Sequence, residues 1–441
     1  MEKYSITGGS VLQGSTVVSG AKNVALKALV ASCLTSDPVV INNAPLISDL
    51  HIMIEIIRGL GGEVDVSGHT VTVRMKQIRG HSIPLDAAAE VRTSSLFIAP
   101  LLARLGKALI PNPGGCRLGA RPIDRTIDGL THLGAEVYYD TNDGFFHAKT
   151  KGLTGGRYHF EKNSHTGTET MILAGVLAKG TTVLENAAEE PEVDELIVLL
   201  LSMGARIKRS AHREITIDGV DSLHGGQISI LPDRNEIVTL AVAALVTKGD
   251  IFVIDAKEEQ ISEFIRAFRD AGAGVEIREN GIRFFYERLL TAVSVTTQQH
   301  PGFMTDWQAP WAVLMTQAEG VSVIHETVFE NRFGYVTELA KMGAKITLFN
   351  PDVKNPRETY NFNLTDDNPD FFHAARIEGP VVLHNAVVTI SDLRAGAALV
   401  LSALAARGES TILGIEKLDR GYEQLEIRLG KLGAQIKRHT L

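Results

Sequence analysis

LGAEVYY, residues 133–139, decides how this chain is read. A helix closes on the leucine, the glycine takes a turn conformation that other residues resist, and alternating apolar residues then start a strand. The pattern recurs as LGGEVDV (60–66), MGARIKR (203–209), AGAGVEI (271–277), MGAKITL (342–348) and LGAQIKR (432–438). The turn glycines Gly61, Gly134, Gly204, Gly272, Gly343 and Gly433 lie 73, 70, 68, 71 and 90 residues apart. Self-similarity at a fixed period marks a repeat architecture. The period here is near 70, with one insertion in the last interval.

A second landmark keeps step with the first. MILAGVLAKGTTVLENA (171–187), LAVAALVTKGDIFVIDA (240–256) and LVLSALAARGESTILGI (399–415) each run from an apolar helix through a glycine turn into a β-rich strand. KNVALKALVASCLTSDPVVINNA (22–44) reads the same way. The glycines are expected to supply a left-handed or tight turn. Amphipathic helices such as ELIVLLLSMGA (195–205) and QISEFIRAFRDAGA (260–273) precede the LGA-type turns. Six units of this size are large for a solenoid, whereas three make a closed domain. The expected fold is therefore α/β, with two similar domains of three units each. The insertion between Asn350 and Pro380 is rich in Asn, Asp and Pro and is expected to be an exposed loop.

The 441 residues fit two domains of roughly 200 residues each. A net charge of −8 argues against general nucleic-acid binding. Two cysteines exclude a disulfide framework and suit a reducing compartment. The polar start MEKYSITGG gives no signal-peptide pattern, and the apolar run 395–406 is too short to span a bilayer. A soluble cytoplasmic protein is the expectation. No P-loop, HExxH motif or zinc-spaced Cys/His set occurs, so no metal and no cofactor are expected. Nothing in the sequence fixes an oligomeric state.

Several residues stand out chemically. Cys116, in PNPGGCRLGARPID (111–124), lies among glycines and beside Arg117 and Arg121, which favour a reactive thiolate. A loop cysteine without a role is the plainer alternative. Cys33, in ALVASCL, reads as core. Lys22 and Asn23 open a helix after a glycine turn, a place that attracts anions, although a solvated lysine is the commoner case. Asp306, in HPGFMTDWQAP (300–310), has apolar neighbours that could desolvate it and make it basic enough to take a proton; a helix cap is the alternative. Arg234, Arg332, Arg394 and Arg420 precede helices at comparable turns. Alone each is a surface charge, but together they could clamp phosphate.

SGAKN, PGGCRLGARPID, ENAAEEPE, LPDRNE, TDWQA, HETVFENRF, SDLRA and DRGYE, in this order from end to end, resemble the enolpyruvyl transferases that act on UDP-N-acetylglucosamine in peptidoglycan precursor synthesis. The resemblance implies an inside-out α/β barrel of two domains, residues 22–231 forming one and 1–21 with 232–441 the other. It implies phosphoenolpyruvate and UDP-N-acetylglucosamine as substrates. Cys116 would be the acid, able also to form a covalent adduct with phosphoenolpyruvate, so that acid and nucleophile both stay open for it, and Asp306 would be the base. Lys22, Asn23, Arg121 and Arg420 would hold phosphoenolpyruvate. Asn23, Arg92, Arg121, Pro122, Asp124, Arg125, Lys162, Ser164, Asp306 and Val328 would contact the nucleotide sugar. Asp233, Phe329, Arg332, Asp392 and Arg394 would support the site.

Some positions depart from that pattern. Arg125 stands where an apolar residue is usual, Ser48 where a lysine is frequent, and His165 and Thr166 fall near the expected diphosphate. Competing readings are enolpyruvyl transfer to another nucleotide sugar, the related transferase acting on shikimate 3-phosphate, and a catalytically silent paralogue that binds a nucleotide sugar. The Cys116 loop and the FENRF segment favour the nucleotide-sugar branch over the shikimate one.

Overall fold

The computed structural model describes residues 2–114 and 123–440. Cys116, Arg121 and Pro122 lie outside the described residues. Two compact units divide the rest, one from 2–19 and 232–440, the other from 20–114 and 123–231.

Each unit is α/β and carries three sheets. In five of them a short strand pairs parallel with a second strand, which pairs antiparallel with a third, which pairs antiparallel with a fourth. The sixth, built from Lys107–Pro111, Phe145–Lys149 and Glu136–Asp140, has three strands, and Ser82 bridges to Leu109 where the short strand would lie. The repetition of one hydrogen-bonding plan is the structural form of the sequence period. In the sheet around Glu2–Thr7, the first strand of the chain pairs with both Glu409–Leu413 and Gln435–Thr440.

Within the unit that ends the chain, the helices Arg234–Val246, Gln308–Met315 and Leu393–Ala405 are buried on nearly every side. Such helices form a centre, not a surface. The sheets lie outside them with alternating burial, as in Asp250–Ile254, where Ile251 and Val253 turn inward. The other unit is organised likewise around Lys22–Ala31, Ile98–Leu105 and His165–Gly175, with Cys33 buried in its core and its thiol pushed up to about 12 by burial.

All six LGA-type glycines have φ between 85° and 107°, the left-handed region in which a side chain would be strained. Gly249 differs from its expected role. Lys248 takes the left-handed conformation there, with φ of 55°. A Cβ on Gly249 would lie 2.0 Å from the Leu12 carbonyl oxygen, so that glycine permits a close backbone approach instead.

Candidate active site

The repeat places the start of each buried helix at one end of its unit, and the polar candidates sit at those starts. Asp233 caps Arg234–Val246 by accepting the Asn235 amide at 2.8 Å. Asp392 caps Leu393–Ala405 by accepting the amides of Arg394 and Ala395 at 3.0 and 3.1 Å. The third start, Thr305–Gln308, is pinned by Trp307, whose indole N–H donates to Asn235 Oδ1 at 3.1 Å. Three helix N-termini therefore meet, and their partial positive charges favour an anion at that end.

Asp306 lies there with two guanidiniums. Arg332 donates to its Oδ1 at 2.6 Å and Arg394 Nε to its Oδ2 at 3.0 Å. The arginine side chains are 5% and 8% exposed, while that of Asp306 is 22% exposed, so the carboxylate is the accessible member of the cluster. Burial works to raise the Asp306 pKa. Arg394 and Arg332, with Arg234 further off, outweigh it and hold the carboxyl well below the usual range. This corrects the expectation of a raised basicity. The apolar neighbours Phe303 and Trp307 pack into the aromatic core with Phe264 and Trp311, leaving the carboxylate to the arginines.

The neighbouring segment is held by Glu326, a fully buried carboxylate that the sequence reading did not single out. Its Oε2 accepts from Thr305 Oγ1 at 2.8 Å and Gln308 Nε2 at 2.6 Å, on either side of Asp306. Its Oε1 accepts the amides of Val328 and Phe329 at 2.8 and 3.0 Å. Arg332 also lies over the Phe329 ring, 5.4 Å from its centre. Arg420 occupies the partly exposed turn before Tyr422, whose hydroxyl meets Thr239 at 2.8 Å and Arg394 at 3.4 Å. Asp306, Arg332, Arg394, Val328, Phe329 and the Arg420 turn thus belong to one neighbourhood.

The other unit carries its own set. Lys22 and Asn23 are the first residues of Lys22–Ala31, and Lys22 Nζ sits 2.7 Å from Asp49 with only 12% of its side chain exposed, so it is not the solvated lysine of the plainer reading. Ser164 caps His165–Gly175 by accepting the Gly167 amide at 3.0 Å. Lys162 is partly exposed two residues earlier. Arg125, next to Asp124 at the start of Asp124–His132, donates to the Asn163 carbonyl at 3.2 Å, which ties the 124–125 and 162–164 segments together. Arg92 opens the short helix Arg92–Phe97 and reaches the Pro113 carbonyl at 3.5 Å.

Beneath these residues lies a buried ionic chain absent from the sequence reading. Glu169, with a 0% exposed side chain, is 3.2 Å from Lys27 Nζ and 3.1 Å from His165 Nε2. Burial works against charge on His165, but Glu169 outweighs it and raises the pKa; Lys27 opposes and Glu190 assists. The signal was present in the sequence. Lys27 interrupts an apolar run, and His165 and Glu169 are four apart on one helix face. One further group, Asp140, Asp143 and His147 in the Glu136–Lys149 hairpin, has ligand atoms within 4.8 Å of one another. It involves none of the candidate residues.

The architecture is shared with known enolpyruvyl transferases. The enolpyruvyl transferase NikO from Streptomyces tendae superposes with a TM-score of 0.86 and 25% identity over 100% of this chain and 99% of that one. An EPSP synthase from Acinetobacter baumannii has the same fold, with a TM-score of 0.75 at 18% identity. The family model for EPSP synthase (3-phosphoshikimate 1-carboxyvinyltransferase) matches residues 6–429. Full-length relatives are the UDP-N-acetylglucosamine 1-carboxyvinyltransferases of Solibacter usitatus, 41% identical over 99% of this chain and 100% of that protein, and of Myxococcus xanthus, 40% identical over 99% of each. The chain belongs to the EPSP synthase family and, within it, to the UDP-N-acetylglucosamine 1-carboxyvinyltransferases. Among the described residues no helix is long and apolar enough to cross a membrane.

Proposed function

We propose that this chain transfers the enolpyruvyl group of phosphoenolpyruvate to the 3-hydroxyl of UDP-N-acetylglucosamine, releasing phosphate, as a step toward peptidoglycan. The observation that carries this reading is the end-to-end identity of 40–41% with relatives bearing that activity in their names. Cytoplasmic placement, and a role in cell shape and division, follow from the same reading.

In this mechanism Cys116 protonates C3 of phosphoenolpyruvate, and the sugar oxygen attacks C2 while Asp306 takes its proton. The tetrahedral adduct then loses phosphate and a C3 proton, restoring the double bond. Lys22, Arg121 and Arg420 stabilise the charge gathering on the leaving phosphate. Lys162, Ser164, Arg92, Pro122, Asp124, Arg125 and Asn23 hold the nucleotide sugar. Asp306, clamped by two arginines, is a weak base at rest. Its proton transfer is therefore coupled to C–O bond formation, when the attacking hydroxyl becomes acidic. An anionic substrate drawing on Arg332 or Arg394 adds to its basicity.

The test is phosphate release from phosphoenolpyruvate by the purified protein, with and without UDP-N-acetylglucosamine. Release that depends on the sugar nucleotide is expected. Release with another sugar nucleotide alone would reassign the acceptor, and silence with every acceptor would favour a non-catalytic paralogue. Cys116→Ala should abolish turnover and Cys116→Asp retain part of it, since a carboxylic acid also donates a proton. Full activity in the alanine variant would remove Cys116 from its role.

A further inference from the structure

The insertion in the last repeat is largely exposed, as its composition suggests, but one face of it is anchored. It joins two antiparallel strands, Lys345–Phe349 and Ala374–Gly379, paired from Phe349 opposite Ala374. The equivalent connections elsewhere are tight: Gly68 and His69, His212 and Arg213, Glu279 and Asn280, or the turn 141–144. Here residues 350–373 replace such a turn. Loops of this length are usually functional or disordered. This one is packed on one face. Tyr360, Phe362 and His373 are 6%, 5% and 5% exposed. Tyr360 and Phe362 stack at 4.9 Å between centroids, and both lie against His373 at 5.0 and 5.1 Å. Asn350 closes the base, accepting the His373 amide at 2.8 Å and donating to the Phe371 carbonyl at 3.0 Å.

The packed face of the insertion meets the strand end that carries Glu326. The Asn361 amide donates to the Thr327 carbonyl at 2.8 Å, and the Glu326 amide donates to the His373 carbonyl at 2.7 Å. The His325 ring Nε2 lies 3.3 Å from the Tyr360 hydroxyl. Thr327 is fixed from its other side by Thr297, whose Oγ1 accepts its amide at 2.9 Å. Residues 325–327 are therefore gripped along their backbone, and Glu326 passes that fixation on. Its carboxylate holds Thr305 and Gln308 around Asp306 and the amides of Val328 and Phe329. A shift of Glu326 would move both at once.

We infer that the 350–373 insertion is a positioning element for the acceptor-contacting segment 326–329, with Tyr360, Phe362 and His373 as its working face. It touches none of the proposed catalytic groups and acts through Glu326. The inference rests on the proposed reaction only for its kinetic consequence; the mechanical consequence stands apart from it. The experiment is therefore a pair of measurements on Tyr360→Ala, which removes the ring stack and the contact with His325. Hydrogen exchange of the amides of residues 326–329 should accelerate at least about tenfold, because their local opening becomes easier. KM for UDP-N-acetylglucosamine should rise about tenfold and kcat should fall with it, with KM for phosphoenolpyruvate nearly unchanged, since the 326–329 segment and Asp306 both face the acceptor. Wild-type exchange at 326–329 in a folded Tyr360→Ala protein would overturn the inference. Faster exchange with both KM values unchanged would overturn the acceptor assignment of the segment. If the alanine variant does not fold, Phe362→Leu is judged by the same two readouts. Absence of any turnover in the wild type would defeat the proposed reaction while the exchange result still decides the brace.

Discussion

Two carboxylates, one in each unit, sit between two cations and have opposite prospects. Asp306 faces Arg332 and Arg394 and keeps 22% of its side chain exposed; Glu169 faces Lys27 and His165 and is fully enclosed. The ionic pattern alone does not separate a functional group from a structural one. Access does. Asp306 keeps part of its side chain open, whereas Glu169 is enclosed and ties Lys27 of one buried helix to His165 of its own.

The cations differ as well. Arginines keep their charge across the accessible pH range, so the Asp306 cluster does not titrate near neutrality. Because the folded Asp306 pKa is depressed, its stabilisation is present above the ordinary carboxyl value and is lost only as pH falls through the lowered one. The His165 pKa is raised, so its contribution is complete below the ordinary histidine value and is lost as pH rises through the raised one.

The sharpest way to break the comparison is Asp306→Asn, for which phosphate release should fall by about 10³-fold, the scale of general base catalysis. Steady-state kinetics on the folded variant would show it. Glu169→Gln should behave in reverse: it strands Lys27 and His165 and should cost about 3–5 kcal/mol in denaturant unfolding, with kcat of the folded fraction near wild type. If Glu169→Gln abolished kcat without loss of stability, the buried chain would be part of the chemistry and the contrast would fail.

Finer changes sharpen it. Arg394→Lys keeps the charge but loses the Nε donor that meets Asp306 and the Nη1 donor that meets Tyr422, and a loss of about tenfold in kcat/KM is expected for one weakened charged contact. An unchanged kcat/KM would reduce Arg394 to a mere counter-charge. The smallest effect concerns proton binding. In an NMR titration His165 should lose its proton above the usual histidine range, and in Glu169→Gln its midpoint should move down. An unmoved midpoint would mean that Glu169 does not hold the imidazolium.

The six turn glycines, the apolar helices and the caps at Asp233 and Asp392 were legible because each follows from local rules: a left-handed turn, a period of apolar residues, a side chain reaching an amide one or two residues on. The anchored face of the insertion is not legible for the same reason. Its Asn, Asp and Pro content is that of an exposed loop, and nothing local marks Tyr360 and Phe362 as buried, because Tyr360 packs on His325 from a distant strand and both rings pack on His373 at the far end of the insertion. The low basicity of Asp306 is not legible locally, since Arg332 and Arg394 lie 26 and 88 residues away in sequence.

The sequence by itself determined the repeat, the α/β class, the family and the residue types available for chemistry, since all of these are encoded in local pattern or in residue identity. Only the tertiary structure decided which charges neutralise one another, that Glu326 holds the segment beside Asp306, and that the insertion grips that segment. Those outcomes depend on distances between groups far apart in the chain, and electrostatic and hydrogen-bond energies are set by such distances and by burial, neither of which a linear pattern records.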